Sequence, residues 1–258
     1  EQHNENSLTF AVPTEFVELP SRGLFYPEGH PLHEVEEVEI RYMTAKDEDI
    51  LTSSSLIKKN LAIDRFLENI IVDKRIKVDD LLIGDKNAVI IASRITGYGA
   101  VYETKTTCPS CLGTSDYVFD LEEAYEVNSL PADIEITERN TFFIQLPIAK
   151  VHVELQFLSG RDEREISQKA EFKRKKKLPE SPVTDRLKNI IVSVDGIEDY
   201  VEIDRMIDNL PSRDTKYIFE QYKRAIPNAN LKEFFVCENC SYEGTLEVPF
   251  TTDFFWPR

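Results

Sequence analysis

The four cysteines are the residues of this chain best suited to chemistry. They form two motifs of identical spacing, Cys108-Pro-Ser-Cys111 and Cys237-Glu-Asn-Cys240. One such motif could be a redox pair, but two of them in a chain without further cysteines fit a tetrahedral site of four thiolates better. Such a site has no open position for a catalytic water, so the pattern predicts one structural Zn²⁺ ion. Two redox pairs or four unligated thiols are the alternatives.

Segments typical of β-strands flank both cysteine motifs. Residues 101–107 precede the first motif and residues 116–121 follow it, whereas residues 233–236 and 244–248 flank the second. Each motif is therefore expected at the tip of a β-hairpin, where the paired strands satisfy each other's backbone groups. Two such hairpins that share one zinc ion form a zinc-ribbon-like unit.

The whole pattern predicts an α+β fold: a small helical unit plus a zinc-ribbon-like pair of β-hairpins that carries a long α+β insertion. The expected units are an extended N-terminal arm with short strands at 1–43, a helical unit at 44–100, the hairpins with the C-terminal tail at 101–127 and 231–258, and an inserted α+β domain at 128–230.

Local signals place the helices and strands within these units. Thr44-Ala-Lys-Asp47 resembles a capping box with Asp in place of the usual Glu or Gln, so a helix is expected to begin there. Hydrophobic periodicity and turn residues predict further helices at 61–72, near 78, and at 85–96, 160–177, 183–194, 201–210 and 212–225, with strands at 134–137, 141–146 and 151–158.

Charge and composition narrow the classes of function. The chain has 258 residues and a net charge of −16, a balance that repels nucleic acid and favours basic partners, although solubility alone could also explain it. The sequence contains no run of about 18 consecutive apolar residues, so no membrane-spanning helix is expected. The polar start at 1–7 lacks the pattern of a secretory signal, which favours a soluble protein of intracellular type.

Motifs for catalysis are missing from the sequence. It contains no glycine-rich phosphate loop, no His-Glu-x-x-His helix and no nucleophile elbow, so we expect neither an enzyme nor a small-molecule substrate. The basic run at 173–177 could contact an acidic partner or nucleic acid. Pairing with the acidic surface of the same chain is favoured, because no aromatic residue in the run offers a base a stacking platform.

Aromatic residues near both ends are candidates for partner contacts. They are Phe10 and Phe16 in the arm, and Phe254, Phe255 and Trp256 in the tail. Aromatic side chains contribute much of the energy of protein interfaces. For the tail, docking on its own domain is the favoured alternative.

Several segments, taken in order, resemble a known family. They are Leu-Pro-Ser-Arg-Gly-Leu-Phe-Tyr-Pro at 19–27, Val-Glu-Ile-Arg-Tyr-Met-Thr-Ala-Lys-Asp-Glu-Asp-Ile-Leu at 38–51, Leu-Leu-Ile-Gly-Asp at 81–85, Ala-Ser-Arg-Ile-Thr-Gly-Tyr at 92–98, the first cysteine motif, and Phe-Phe-Trp-Pro at 254–257. Together they resemble the baseplate hub proteins of T-even-type contractile-tailed bacteriophages, which are hub subunits or hub assembly factors. The resemblance covers most of the chain and is strongest over 19–111.

The resemblance implies a role through protein–protein contacts. The expected function is a structural component or an assembly factor of the baseplate hub, with other phage baseplate and tail proteins as partners. The expected location is the virion tail baseplate, the host cytoplasm during assembly, or both. A zinc-ribbon nucleic-acid-binding protein and an enzyme are the other classes; the net charge disfavours the first, whereas the basic run at 173–177 keeps it open.

Overall fold

A computed structural model describes residues 11–128, 130–248 and 252–255 of the chain, and it confirms the α+β class. The described part contains eight α-helices: α1 Ala45–Thr52, α2 Ser54–Lys58, α3 Ala62–Ile70, α4 Ile83–Tyr98, α5 Gly160–Lys175, α6 Pro182–Ile190, α7 Tyr200–Asp208 and α8 Ser212–Ala225. Short 3₁₀ helices span Val78–Asp80 and Thr252–Phe255. Within these described ranges, none of the helices is both long and apolar enough to cross a membrane.

Ten strands are described, and all of them pair antiparallel in four small sheets. They are β1 Thr14–Glu18, β2 Glu37–Arg41, β3 Val101–Thr107, β4 Thr114–Asp120, β5 Tyr125–Asn128, β6 Thr141–Gln145, β7 His152–Gln156, β8 Ile191–Val194, β9 Asn228–Val236 and β10 Glu243–Glu247. The sheets have the orders β1-β2, β3-β4, β10-β9-β5 and β6-β7-β8.

Two hydrophobic cores organise these elements. The first core joins the N-terminal segment, helices α3 and α4, the hairpins and the 3₁₀ helix near the C-terminus. Side chains such as Val17, Leu19 and Tyr26 are buried in it, so the segment expected as an extended arm packs with the helical unit. The second core lies within the insertion and also receives Phe25, whose ring centroid lies 4.7 Å from that of Phe157.

Helix α4 fastens the N-terminal loop through a buried carboxylate. Asp85 in its first turn accepts hydrogen bonds from the backbone N–H of Ser21 (2.9 Å), from Ser21 Oγ (2.6 Å) and from the Tyr26 hydroxyl (2.7 Å). The Tyr26 hydroxyl in turn accepts a bond from the N–H of Leu82 at 3.1 Å. Burial raises the pKa of Asp85, and the bonds from Ser21 and Tyr26 oppose that shift. The loop is therefore held to the helix by polar contacts inside the core.

The other end of α4 carries a buried cation. Arg94 is fully buried, and Nε donates to the carbonyl oxygen of Phe254 at 3.0 Å. Its Nη1 and Nη2 donate to the carbonyl oxygens of Gly99 (2.8 Å) and Val101 (3.3 Å). The guanidinium also lies 5.6 Å from the ring centroid of Tyr102. One side chain thus connects α4, the start of β3 and the C-terminal segment.

A capping box begins α1, as the sequence predicted. Asp47 accepts hydrogen bonds from the N–H of Thr44 (2.8 Å) and from Thr44 Oγ1 (2.7 Å). Arg41 donates to both carboxylate oxygens, and Asn69 Nδ2 donates at 2.6 Å. Burial alone would raise the pKa of Asp47, but these donors outweigh it and lower the pKa to about 2.

The insertion differs from the expected pattern in two places. The helix expected at 183–194 ends at Ile190, and Ile191–Val194 forms strand β8 instead. Its β-branched residues pair with β7 over the second core, so tertiary pairing decides the conformation. The strand expected at 134–137 is reduced to a single bridge between Ile136 and Phe142.

Asp47→Asn should destabilise the protein in a pH-dependent way. The folded pKa of about 2 lies below the ordinary value of 3.8, so the carboxylate's contribution is complete above pH 4 and is lost as the pH falls toward 2. We expect Asp47→Asn to lower the free energy of unfolding by about 1–3 kcal/mol at pH 7. The measurement is urea unfolding of both proteins at each pH, where their difference should shrink at low pH.

Asp49→Asn is the matched control, because Asp49 lies exposed on the same helix. It should change the unfolding free energy little at any pH. An Asp47 variant as stable as the wild type at pH 7 would contradict the role assigned to these hydrogen bonds.

Candidate metal centre

Each cysteine motif lies in the loop of an antiparallel hairpin. In the first hairpin Thr107 pairs with Thr114, so the loop comprises residues 108–113. In the second, Val236 pairs with Glu243, and the loop comprises 237–242. The strands that the sequence predicted beside the motifs are therefore present, and they hold the cysteines at the hairpin tips.

The two loops have the same backbone hydrogen bonds although their sequences differ. The N–H of Cys108 donates to the carbonyl of Gly113 (2.9 Å), and that of Cys237 donates to the carbonyl of Tyr242 (2.9 Å). The residue after each second cysteine is left-handed, with φ of 56° at Leu112 and 55° at Ser241. That conformation costs a non-glycine residue roughly 1–2 kcal/mol. Its presence at the same position in both loops indicates a shared constraint on where the sulfurs point.

All four sulfurs meet between the hairpins. The distance is 3.7 Å between Cys108 Sγ and Cys240 Sγ and 3.8 Å between Cys111 Sγ and Cys237 Sγ, and the four ligand atoms lie within 4.8 Å of one another. No cysteine forms a disulfide. A tetrahedral ion with metal–sulfur distances of about 2.3 Å places its sulfurs roughly 3.8 Å apart. The cluster is therefore compatible with one metal site.

Aromatic side chains of both hairpins pack beside the cysteine cluster. Cys108 and Cys237 are buried beside Phe235, whereas Cys111 is half-buried and Cys240 is exposed. The ring of Tyr117 on β4 lies 5.5 Å, centroid to centroid, from that of Phe235 on β9. The Tyr117 hydroxyl donates to the carbonyl of Phe234 at 3.0 Å. These contacts join the two hairpins beside the cysteine cluster.

The sulfurs differ in their proton affinity. A backbone hydrogen bond from Gly113, assisted by Asn239 Nδ2 at 3.6 Å, lowers the pKa of Cys111 to about 6. The N–H of Tyr242 favours the thiolate of Cys240, but desolvation and the neighbouring cysteine sulfurs outweigh it and raise that pKa to about 11. Binding of a divalent cation would favour the thiolate form of all four and would release protons.

The donor set limits what this centre can do. Four thiolates in a tetrahedral arrangement suit Zn²⁺ or iron. The set leaves no coordination position for a water or substrate, so a zinc ion bound here would have a structural role.

The aromatic residues expected to contact partners occupy different environments. Phe16 on β1 is 67% exposed. Phe254 and Phe255 are fully buried in the first core, with ring centroids 5.3 Å from Tyr102 and 5.1 Å from Phe66 respectively. This burial does not agree with the assignment of Phe254 and Phe255 as partner contacts, because a side chain inside the core has no surface to offer. Phe10 and Trp256 lie outside the described residues.

Three of the five residues in the basic run at 173–177 form ion pairs with acidic residues of the same chain. Lys173 Nζ lies 2.5 Å from Asp185, Arg174 Nε lies 3.5 Å from Glu180, and Lys175 Nζ lies 2.7 Å from Glu171. These pairs agree with the interpretation of the run as a helix face that pairs with the protein's own surface.

Sequence reasoning did not identify Asp85 and Arg94 as organising residues. Both are charged side chains within a largely apolar helix, where a charge is costly unless it has partners. A charged residue within an apolar helix was therefore the sequence feature that could have identified them. Their partners come from distant segments and could not be read from the helix itself.

Comparison with known proteins identifies the family. A family model described as T4 bacteriophage base plate protein matches residues 14–256. The chain belongs to this family. The match confirms the resemblance at the level of a T4-type phage baseplate protein, and the matched range includes both cysteine motifs, Asp85 and Arg94. Searches of curated proteins and of solved structures gave no significant match.

Replacing Phe254 should show that this aromatic residue of the baseplate chain stabilises its own fold. Phe254→Ala removes a fully buried ring, so we expect the free energy of unfolding to fall by about 3–5 kcal/mol. Chemical denaturation of the purified protein measures the change.

Phe16→Ala is the matched control, because its ring is 67% exposed. It should change stability much less than Phe254→Ala. Equal losses in the two variants would contradict the difference in burial.

Proposed function

We propose that this chain is a structural component or assembly factor of the baseplate hub in a contractile-tailed bacteriophage, and that it acts through protein–protein contacts. The observation that carries the proposal is the baseplate family match over residues 14–256. Three of the segments that resemble the baseplate hub proteins also contribute residues to buried hydrogen bonds. Ser21 and Tyr26 come from the segment at 19–27, Asp85 from 81–85, and Arg94 from 92–98.

The four sulfurs support a structural rather than a catalytic role. We propose that they bind one Zn²⁺ ion and that the two hairpins form a zinc-ribbon-like unit. Cys111 and Cys237 are 126 positions apart, so the ion would close a long loop that contains the insertion. Closing a long loop restricts the unfolded chain and thereby stabilises the folded one. The insertion would then be held at both of its ends.

Surface properties support protein partners. The net charge of −16 favours basic partner surfaces over nucleic acid, and the exposed ring of Phe16 is an apolar contact point on β1. We propose other baseplate and tail proteins as the partners, with Phe16 and, outside the described residues, Phe10 and Trp256 among the contacts. The proposed location is the virion tail, the host cytoplasm during assembly, or both, and we propose no enzymatic activity, small-molecule substrate or membrane insertion.

The zinc assignment predicts one Zn²⁺ per chain by elemental analysis of the purified protein. Cys108→Ser and Cys237→Ser should each lose the metal and the native fold, because three thiolates leave the ion incompletely held and the loop open. Circular dichroism and metal content measure the two effects.

Ser110→Ala is the matched control, because it changes a neighbouring residue of the same loop that is not a sulfur ligand. It should keep both zinc and fold. A protein purified with iron, or a metal-free protein that stays folded with the same stability, would refute the structural zinc.

The hub proposal is tested by mass spectrometry of purified virions and infected-cell lysates. A fixed copy number in virions identifies a structural subunit, and presence in the lysate alone identifies an assembly factor. Phage that lack the chain should fail to form complete baseplates. Normal infectious particles made without it would contradict the proposal.

Complementation with Phe16→Ser tests the proposed contact. Because the ring is exposed, the variant should fold and bind metal normally but should restore fewer infectious particles. Val118→Thr, at a 57% exposed position on β4, is the control. Full complementation by Phe16→Ser would remove this residue from the interface.

A further inference from the structure

Strand β10 forms an edge of the sheet that carries the second cysteine loop. The sheet has the order β10-β9-β5, and β10 pairs with β9 in one regular register from Glu243 to Glu247. Among the described residues, β10 pairs with no other strand and takes part in no isolated bridge. The side of β10 that faces away from β9 is therefore an open edge within the described part of the chain.

The hydrogen bonds of the ladder fix which backbone groups lie on this edge. The N–H of Val248 donates to the carbonyl of Leu231 at 3.1 Å, so Val248 faces β9. Inward and outward residues alternate along an antiparallel strand. The backbone groups of Glu243, Thr245 and Glu247 therefore point away from β9, and no hydrogen bond to them is found among the described residues.

Strand β9 shows the same alternation on its other side. The carbonyl of Phe234, which lies opposite Thr245, accepts a hydrogen bond from the Tyr117 hydroxyl at 3.0 Å instead of one from β10. The N–H of Lys232 donates to the carbonyl of Ala124 at 2.8 Å. These bonds confirm that the opposed pairs at 232, 234 and 236 turn their backbone groups outward from the hairpin on both sides.

One face of this hairpin carries exposed apolar side chains that reach the edge. Phe234 and Val236 on β9 are 61% and 47% exposed. Their opposite residues on β10 are Thr245 and Glu243 respectively, and opposed residues of an antiparallel pair share a face. A strand added beside β10 would extend both rows by one residue, so its side chains would lie beside this apolar surface.

The charges along the edge are negative. Glu243 forms no ion pair among the described residues, and Glu247 lies 3.9 Å from Lys232, which is closer to Glu126 at 3.6 Å. Glu238, in the adjacent cysteine loop, is also exposed. One lysine therefore stands among four glutamates, and the edge carries a negative charge that the chain itself does not balance.

We propose that the β10 edge binds an extended segment of a different protein as an additional antiparallel strand. The segment pairs with the outward backbone groups, places an apolar residue beside Thr245 and places basic residues beside Glu243 and Glu247. Such strand addition takes its affinity from main-chain hydrogen bonds and its specificity from alternate side chains.

Charge argues against a second copy of this chain as the occupant. Two β10 edges paired antiparallel around Thr245 would place glutamate opposite glutamate on both sides of that residue, and like charges directly opposite each other are destabilising. Charged residues on an edge strand discourage such self-pairing. They leave pairing with a basic strand available, so charge selects the partner as well as excluding the copy.

The proposed strand addition deepens the proposed function and rests on it for the origin of the bound segment. The surface itself is tested on the purified full-length protein. Failure of that test would leave the virion and lysate result untouched, whereas absence from baseplates would leave peptide binding intact. The two proposals can therefore fail separately.

The probes are two soluble peptides with valine at the centre and, two positions to either side, lysine in one peptide and glutamate in the other. Residue-resolved amide hydrogen exchange is followed on the protein. The lysine peptide should slow exchange at Glu243, Thr245 and Glu247 by about tenfold at saturation, because these N–H groups become hydrogen-bonded. Gly244 and Leu246 already face β9 and should change little. The glutamate peptide should bind at least about tenfold more weakly, since it meets like charges.

Two variants test the geometry. Thr245→Pro removes an outward N–H that β9 does not use, and proline is tolerated at such edge positions. It should weaken binding of the lysine peptide about tenfold. Phe234→Thr keeps the backbone and removes the exposed ring, so it should also weaken binding. Phe143→Thr is the matched control, because it makes the same substitution at a 53% exposed position on β6 in a different sheet, and it should leave binding unchanged.

A charge reversal tests the choice of partner. Glu243→Lys combined with Glu247→Lys changes both flanking charges and leaves the backbone of the edge intact. The doubly substituted protein should bind the glutamate peptide about tenfold more tightly than the lysine peptide, because the favourable and unfavourable pairs are exchanged.

Four results would overturn the proposal. They are equal binding of the two peptides to the unmodified protein, no protection at Glu243, Thr245 and Glu247 by either peptide, an unchanged preference after the charge reversal, and a dimer in sedimentation whose outward β10 amides are already protected without peptide. The last result would assign the edge to a second copy of the chain.

Discussion

The architecture depends on two opposite charges buried on one helix. Asp85 lies in the first turn of α4, where the helix dipole favours a negative charge, and Arg94 lies one turn before the helix ends at Tyr98. The dipole alone does not offset the loss of water around a buried ion, so each group requires hydrogen bonds from elsewhere. Asp85 obtains them from Ser21 and Tyr26, and Arg94 obtains them from Gly99, Val101 and Phe254. The hydrogen bonds to these two buried side chains attach the N-terminal loop and the C-terminal segment to the same helix.

This constraint explains how the cysteine cluster is positioned. Arg94 binds the carbonyl of Val101, the first residue of β3, and β3 with β4 carries the first cysteine loop away from the core. Strand β9 packs on α4 at its other end, where Asn87 Nδ2 donates to Asn228 Oδ1 at 3.0 Å. Both hairpins therefore start from one rigid helix. A metal ion bound between the hairpin tips would join the two hairpins there, while helix α4 joins them at their other ends.

The insertion is also attached to the helical part of the molecule around α4. The N–H of Gly160 donates to the carbonyl of Leu81 at 2.9 Å, and Arg164 on α5 forms ion pairs with Asp64 and Asp79. A Cβ on Gly84 would lie 2.0 Å from the carbonyl oxygen of Pro227, so α4 and the returning chain are in close contact. A protein whose role is to hold others in a defined arrangement benefits from such a junction, because its contact surfaces keep a constant separation.

The sequence by itself determined the features that depend on local spacing. The two Cys-x-x-Cys motifs indicated a shared site because a hairpin loop of this length presents both of its sulfurs on one side, and the Thr44–Asp47 pair indicated a helix start because the capping bonds span four residues. Only the tertiary structure decided three other points. Ile191–Val194 is a strand because β7 offers it a ladder, Phe254 and Phe255 are buried because Arg94 and the first core receive them, and Asp85 is an anchor because Ser21 and Tyr26 reach it from 64 and 59 positions away. In each case the residue's conformation or burial depends on a contact with a residue distant in the chain. Residue type and local periodicity carry no information about which distant residue will make that contact.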